Sequence, residues 1–414
     1  MRGTAGTMAD PRAARRPGQA LASTEATLLV ATGSLVLLGL LMVASASIPV
    51  SETIYRQPGY LFLKQAIAAV VGVGALGILM RLDYRRWMRY DAALLLGALG
   101  LSALTLIPAL APNGLWLRLG PASFQPTEVA KLALIVALAA ALARKRDNGD
   151  LQSLTAGVLP TVALAAPFAA IALLQPDFAL VVLYGALAGF MLWMAGARLR
   201  QLGGPVLAAL PVLFALLWSA PYRRERLLTF LNPLSNPRDE GYHLLQSFVA
   251  LGSGGLTGRG LGASREKWLY LPSAYNDFIV SIVGEELGFV GVVLLIGLIA
   301  LIVACGVRIA LHAPDFFGFL LASGLTFAIA LQAAVNVGVA VGALPVTGLT
   351  LPFVSYGGSS LIVSLAMIGI LLSIARGANT SEGASYDRLG RRRRDRRAPL
   401  SRAGADRGAP SAPR

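Results

Sequence analysis

Residues 276–305 read NDFIVSIVGEELGFVGVVLLIGLIALIVAC. From Leu287 onward no residue is charged, and a helix of about 20 such residues crosses the roughly 30 Å of bilayer hydrocarbon. The same stretch opens with Asp277, Glu285 and Glu286. An ionised group in hydrocarbon costs roughly 2.5–3.5 kcal/mol on insertion scales, so acids at the head of an apolar helix have a task there. The stretch reads as a membrane helix with an acidic mouth, and it sets the class of the whole chain.

The rest of the sequence agrees with that class. Of 414 residues, 56% are hydrophobic and only 14% charged, and the mean hydropathy is +0.66. A water-soluble domain has no place to hide so much apolar surface. Further apolar runs fall near 26–48, 60–80, 92–110, 127–143, 155–174, 178–195, 203–219, 316–340 and 355–376. The expected fold is an all-α polytopic membrane protein of about ten transmembrane helices, with a large loop, 220–276, between the seventh and eighth. The first run ends in ASAS, which resembles a signal-peptidase site. It is longer than a signal core and more spans follow, so it reads as a retained first helix. The single cysteine, Cys305, rules out an internal disulfide.

Lysine and arginine set the expected orientation. One set of short loops carries Arg81, Arg85, Arg86 and Arg89, then Arg144, Lys145 and Arg146, then Arg198 and Arg200, then Arg308. The alternate short loops carry Arg118 and little else. Both termini are therefore expected in the cytoplasm, and 111–126, 220–276 and 342–354 outside. Residues 1–25 and 378–414 are polar, basic and expected to be disordered, flanking a membrane domain over 26–377. The net charge of +15 does not point to nucleic acid, because the basic residues fall in these tails and in short loops. The tail sequence RRRRDRR reads as an anchor on anionic lipid.

The outward segments hold the polar residues. Segment 220–276 is too long for a plain connector, and loops of that length usually carry function. It contains Arg223, Arg224 and Arg226, whose guanidinium groups match phosphate oxygens. Next come HLLQSFVAL (243–251), with Gln246 on a helix-spaced pattern, and GSGGLTGRGLG (252–262). The glycines read either as tight turns or as sites of close backbone approach to a large polar ligand. Glu128 and Lys131, three apart, share one helix face. QPDF (175–178) puts Asp177 at a helix junction, and LPVTGLTLPFVSYGGSS (344–360) breaks its helices at Pro345, Pro352, Gly357 and Gly358. Irregular backbone at membrane depth is tolerated where it lines a cavity, so these segments are expected to converge on one.

Taken in order, NGLWLRLGP with FQPTEVAK, LLQPDF, YRRERLLTFLNP, GYHLLQSFVALGSGGLTGRGLG, LPSAYNDFIVSIVGEELGFVG and NVGVAVGALPVTGLTLPFVSYGGSS resemble the SEDS family of bacterial cell-wall polymerases, over residues 26 to 377. Within it, the stretch GLGASREKWLYLP followed by NDFI is nearer the FtsW type than the RodA type. Ala179 after QPDF and Val280 after NDFI depart from the family's usual Gly and Phe.

The resemblance implies a peptidoglycan glycosyltransferase that uses lipid II and the growing glycan strand. It implies a place in the bacterial cytoplasmic membrane at the division septum, with the active site on the outer face. It also implies a class B penicillin-binding protein and other divisome proteins as partners, and a divalent cation, Mg²⁺ or Mn²⁺, whose ligands the sequence does not reveal. Asp277 is then the catalytic residue, as general base. The substrate-binding candidates are Trp116, Glu128, Lys131, Arg223, Arg226, Gln246, Lys267, Ser355 and Ser359, with Asp177 and Glu285 in support. Capping of the eighth helix is the plainer reading of Asp277. The open alternatives are an elongation polymerase of the RodA type, a lipid II flippase, and a scaffold that recruits a transpeptidase.

Overall fold

The computed structural model describes residues 17–120, 122–147, 153, 157–175, 177–235 and 240–395. The beginning of the expected N-terminal extension, 1–16, and the end of the basic tail, 396–414, lie outside them.

Among the described residues thirteen α-helices follow one another: α1 (Pro17–Tyr55), α2 (Tyr60–Leu79), α3 (Arg85–Arg89), α4 (Asp91–Ala103), α5 (Pro126–Asp147), α6 (Leu159–Leu174), α7 (Phe178–Met194), α8 (Leu199–Ser219), α9 (Pro221–Leu231), α10 (Glu240–Gly254), α11 (Ile279–Leu311), α12 (Phe316–Ala340) and α13 (Gly358–Asp395). A short antiparallel hairpin, β1 (Leu117–Leu119) with β2 (Ala122–Phe124), interrupts the all-helical pattern between α4 and α5. Its backbone pairs locally, as exposed chain between two helices must.

Six helices, within α1, α2, α5, α11, α12 and α13, are long and apolar enough to cross a membrane. The other four expected spans are helices too, but bent or shorter. The seventh expected span turns by 96° from α8 into α9, and α4, α6 and α7 are short apolar helices of 10–17 residues. The turn falls where Ala220 is extended and Pro221 opens α9, and proline at a first helical position starts a new helix rather than continuing the old one.

Two boundaries also move, and one expected loop is structured. α1 begins at Pro17, well inside the expected extension of 1–25; Pro at a first turn followed by alanine-rich sequence is a helix start. α13 continues to Asp395, past the expected limit of 377; arginine is a good helix former. Segment 220–276 is largely structured, holding α9 and α10 before an irregular stretch.

In their apolar spans α5 and α13 (Gly358–Ala378) are mostly buried, and α12 is two thirds buried. α1, α2 and α11 wrap them and turn apolar side chains such as Val30, Leu37, Val70 and Phe289 outward. α13 packs chiefly on α2, α11 on α1 and α12, and α10 on α11. The bundle has two ends. One collects basic residues around α3, the end of α5 and the α7–α8 and α11–α12 connections. The other gathers the hairpin, the α6–α7 junction, α9, α10 and the loops before α11 and α13.

Candidate active site

The second end holds a cavity of about 780 Å³. Its walls come from α7 (Val182, Ala186), α9 (Arg226, Leu227), α12 (Leu331, Val335) and the loops that carry Trp116, Gln175, Asn276 and Thr350. Trp116, Asp177, Arg226 and Asp277 all line it. The expected convergence of the polar segments is therefore a feature of the fold.

Buried amides hold this mouth open. Gln332 and Asn336 stand one turn apart on α12 and are almost fully buried. Asn336 Nδ2 donates to the Asp277 carbonyl (3.0 Å) and to the Leu349 carbonyl (2.8 Å). Gln332 Nε2 donates to the Thr350 carbonyl at 2.9 Å. Ser355 Oγ donates to the Asn276 carbonyl at 2.6 Å, and accepts from Leu351 N at 2.8 Å. The backbone of Asn276 and Asp277 is thus fixed from both α12 and the loop before α13.

Asp277 is half-buried. It does not cap α11: the N-cap position is Phe278, which makes no side-chain cap bond. Among the described residues its carboxylate accepts no hydrogen bond. Desolvation pushes its pKa up to about 6, the nearby Asp177 adds to the rise, and Arg226 opposes it. Asp177 does act as a cap, accepting from Leu180 N at 3.2 Å at the start of α7. Its pKa is also raised by burial, against those backbone bonds and Arg226.

Glu128 and Lys131 form a buried ion pair at 2.7 Å. Lys131 Nζ also donates to Gln332 Oε1. The pair sits behind the cavity wall and reaches it through Gln332 and Thr350. Ser359 is similarly placed: its Oγ accepts from the backbone N of Gln125, a lining residue, at 3.0 Å. Gln246 lies half-buried on α10, away from the lining. Arg223 belongs to α9, but its side chain lies outside the described residues.

Lys267, expected on the substrate, is instead part of a second acidic cluster. Glu285 and Glu286 are fully buried. Glu285 accepts from Ser264 Oγ (2.5 Å), Arg265 N (2.9 Å), Glu266 N (3.4 Å) and Arg259 (3.5 Å). Glu286 accepts from Ser45 Oγ (2.6 Å), Lys267 Nζ (3.0 Å), Gly262 N (3.0 Å) and Ser264 N (3.4 Å). Lys267 Nζ donates further to Ser45 Oγ at 2.8 Å and the Gly262 carbonyl at 2.6 Å. A buried cation needs this many partners, and none of these contacts faces the cavity.

The glycine-rich stretch also finds its close approach inside the protein, not on a ligand. α11 breaks at Gly288, with φ 69° and ψ −168°, a conformation essentially reserved for glycine. The Glu285 and Glu286 carbonyls accept from Arg259 N and Gly260 N, both at 3.0 Å. Phe289 N and Val290 N donate to the Gly255 and Leu256 carbonyls, at 2.9 and 3.1 Å. The loop takes over the backbone partners that the broken helix gives up. A Cβ on Gly258 would collide with the Glu286 backbone.

Among the described residues no three His, Cys, Asp or Glu side chains stand together as a metal cage. The cavity does offer oxygen. Beside the two aspartates, Gln175 Oε1 and Asn276 Oδ1 are buried without a hydrogen-bond partner. Such a donor set suits a hard divalent cation that keeps water and substrate phosphates among its ligands.

Comparison with known proteins decides the family. Residues 26–380 match the FtsW, RodA and SpoVE family of cell cycle proteins. The chain belongs to that family. It is 41% identical to a "Probable peptidoglycan glycosyltransferase FtsW" of Geobacter metallireducens, over 84% of this chain and 93% of that one. It is 38% identical to stage V sporulation protein E of Bacillus subtilis, over 86% and 97%. Among solved structures, a chain of a peptidoglycan synthase complex that coordinates polymerization and crosslinking superposes with a TM-score of 0.66 at 32% identity, covering 85% of this chain and 97% of that chain. The rod shape determining protein RodA of Thermus thermophilus gives 0.59 at 32% identity, covering 84% and 95%.

In this FtsW/RodA/SpoVE chain, sequence reasoning passed over Gln65, Ser45, Gln332, Asn336 and Asn276. A signal existed for three of them: Gln65, Gln332 and Asn336 are lone amides inside apolar runs, where a polar group is expected to bond across helices. No pattern distinguishes Ser45 from other small residues on α1.

Proposed function

We propose that this chain is a peptidoglycan glycosyltransferase that polymerises lipid II at the outer face of the bacterial cytoplasmic membrane, with Asp277 as its general base. The observation that carries the reading is the state of Asp277. It is a carboxylate with no donor of its own, raised to about 6, on the wall of a large cavity shared with Arg226 and Trp116. A base is most effective when its pKa lies near the working pH.

In the reaction the 4-hydroxyl of one saccharide gives its proton to the Asp277 carboxylate. Its oxygen attacks the anomeric carbon of the lipid-linked sugar. The bond from that carbon to the pyrophosphate oxygen breaks, and undecaprenyl pyrophosphate leaves with the bonding pair. One displacement inverts the anomeric centre, so an α-linked donor yields a β-linked glycan. Arg226 supplies positive charge where the leaving group's charge collects. Asp177, with the Gln175 and Asn276 carbonyls, is the set that would hold a divalent cation, leaving Asp277 as the base. When bound, such a cation neutralises pyrophosphate charge.

The match to FtsW-named relatives supports a septal role, with a class B penicillin-binding protein and other divisome proteins as partners. The superposed synthase complex supports the crosslinking partner. The orientation rests on the basic loops gathering at the end away from the cavity.

The deciding experiment is polymerisation of labelled lipid II by the purified protein with its cognate transpeptidase, beside a folded Asp277→Ala variant. Glycan from the wild type alone is the expected result. Equal product from both removes Asp277 as the base. No glycan, with lipid II carried across vesicles, replaces the polymerase by a flippase.

A further inference from the structure

Four tyrosines meet on another side of the Asp277 segment. Tyr55 ends α1 and Tyr60 opens α2; their rings stack with centroids 4.2 Å apart. Tyr275 lies two residues before Asp277, and Tyr356 in the loop before α13; these rings meet edge-on at 5.6 Å. The two pairs are neighbours. Tyr55 is near enough to raise the pKa of both Tyr275 and Tyr356, as Tyr60 also does for Tyr356. None of the four lines the cavity.

The group is built firmly onto the candidate active site. Tyr356 N donates to the Tyr275 carbonyl at 2.9 Å. Gln65, buried on α2, donates from Nε2 to the Ser355 carbonyl at 3.1 Å and accepts from Gly357 N at 3.1 Å, gripping the loop on both sides of Tyr356. α2, the Tyr356 loop and the Asp277 segment therefore form one unit. Among the described residues none of the four phenol hydroxyls makes a hydrogen bond within the protein. Tyr55 is 43% exposed and the others half-buried. The Lys64 ammonium sits 4.6 Å from the centre of the Tyr60 ring.

Tyrosines at a membrane surface commonly form a belt facing the headgroups. Belt residues scatter around a bundle; these come from three chain segments and pack on one another. Half-exposed rings with unused hydroxyls match a pyranose, whose C–H face packs on an aromatic face while its hydroxyls exchange hydrogen bonds. A polymerase must also hold two saccharides about its base.

We propose that Tyr55, Tyr60, Tyr275 and Tyr356 form a binding platform for the amino-sugar rings of a glycan strand, beside Asp277 and outside the cavity. This rests on the polymerase reading above. The platform holds successive sugars of a polymer, so it favours a tetrasaccharide over a disaccharide.

The test uses the full-length protein in lipid nanodiscs. The probes are the di- and tetrasaccharides of alternating N-acetylglucosamine and N-acetylmuramic acid, free of lipid and peptide, followed by saturation-transfer NMR. The tetrasaccharide binds saturably and more tightly than the disaccharide. Tyr55→Ala with Tyr60→Ala weakens it about tenfold, the scale of losing aromatic stacking. Tyr60→Phe, which keeps the ring, retains most of the binding. With the transpeptidase present, the double variant makes shorter strands than the wild type. Absence of tetrasaccharide binding to the wild type, or equal binding by a folded double variant, overturns the platform. Tyrosine-dependent binding by a protein that makes no glycan leaves the platform standing and removes the polymerase reading instead.

Discussion

Two pairs of acids sit at the same end of this bundle, and their surroundings are opposite. Glu285 and Glu286 accept eight hydrogen bonds from Ser45, Arg259 and the 262–267 loop. Asp177 accepts a helix-cap bond, and the Asp277 carboxylate accepts none among the described residues. Both pairs break the rule against charge in an apolar helix bundle. The first is saturated by its own protein and works as a clasp, joining the 259–267 loop to α1 and α11. The second keeps its lone pairs for something in the cavity. Charge in a membrane helix shows that a residue has a task; the count of its donors shows whether the task is structural or chemical.

The sharpest test of this contrast is Asp277→Asn. Polymerisation from lipid II is expected to fall roughly 10²- to 10⁴-fold, the usual contribution of a general base. Tm is expected to hold or rise, because the change removes a buried carboxylate that nothing in the fold satisfies. A lower Tm in a calorimetric or fluorescence melt would move Asp277 to the structural side.

Glu286→Ala reverses the pattern. It leaves the Lys267 ammonium buried with two neutral acceptors, and removing one partner of a buried pair costs about 3–5 kcal/mol. Folded yield and Tm are expected to drop, with activity per folded molecule less affected. Gly288→Ala attacks the same clasp through the backbone. A side chain at φ 69° and ψ −168° costs on the order of 1–3 kcal/mol, and its Cβ would meet the Leu256 carbonyl oxygen at 2.5 Å. Its melt should fall by less than that of Glu286→Ala.

This division of labour was only half legible in the sequence. Asp277, Asp177 and Arg226 announced themselves as polar residues at span ends, Trp116 only through the family resemblance, and the four meet in the cavity. Lys267 announced itself in the same way and belongs to the clasp. Spacing reports that a charge is near a membrane helix, not which way its side chain turns. The glycines of 252–262 were similarly ambiguous: close approach was readable, its partner was not, because the partner is the α11 backbone some thirty residues on. The bend between α8 and α9 was hidden because hydropathy records composition, not direction. Gln332 and Asn336, which hold the Asp277 backbone, looked minor within a long apolar run.

The pH profile probes the cavity pair more finely. Asp277 must be ionised to take a proton, and burial raises its pKa to about 6. The rate is therefore expected to fall as pH drops through about 6 and to level off above it. Arg226→Gln removes the charge that favours ionised Asp277, so the acidic limb should move to higher pH. Asp177→Asn removes the charge that disfavours it, so the limb should move to lower pH. Opposite displacements, measured on initial rates at saturating lipid II, separate electrostatic coupling from simple damage, which lowers the plateau without moving the limb.

The smallest effect is expected at the far end of the bundle. There Asp315 accepts from Tyr84 OH at 2.6 Å and from Arg85 Nε at 2.9 Å. The Arg85 side chain is 57% exposed, and an exposed ion pair contributes about 0–1 kcal/mol. Arg85→Ala should leave glycan synthesis unchanged and Tm nearly so. Asp315 keeps its bond from Tyr84 and its cap to Gly318 N at 2.8 Å, so no buried charge is stranded. That is the physical difference from Glu286→Ala: both variants remove half of an ion pair, but only one leaves the other half in the dark of the protein. If Arg85→Ala proved as damaging as Glu286→Ala, burial would not be the variable that separates these sites, and the contrast between clasp and cavity would have to rest on geometry alone.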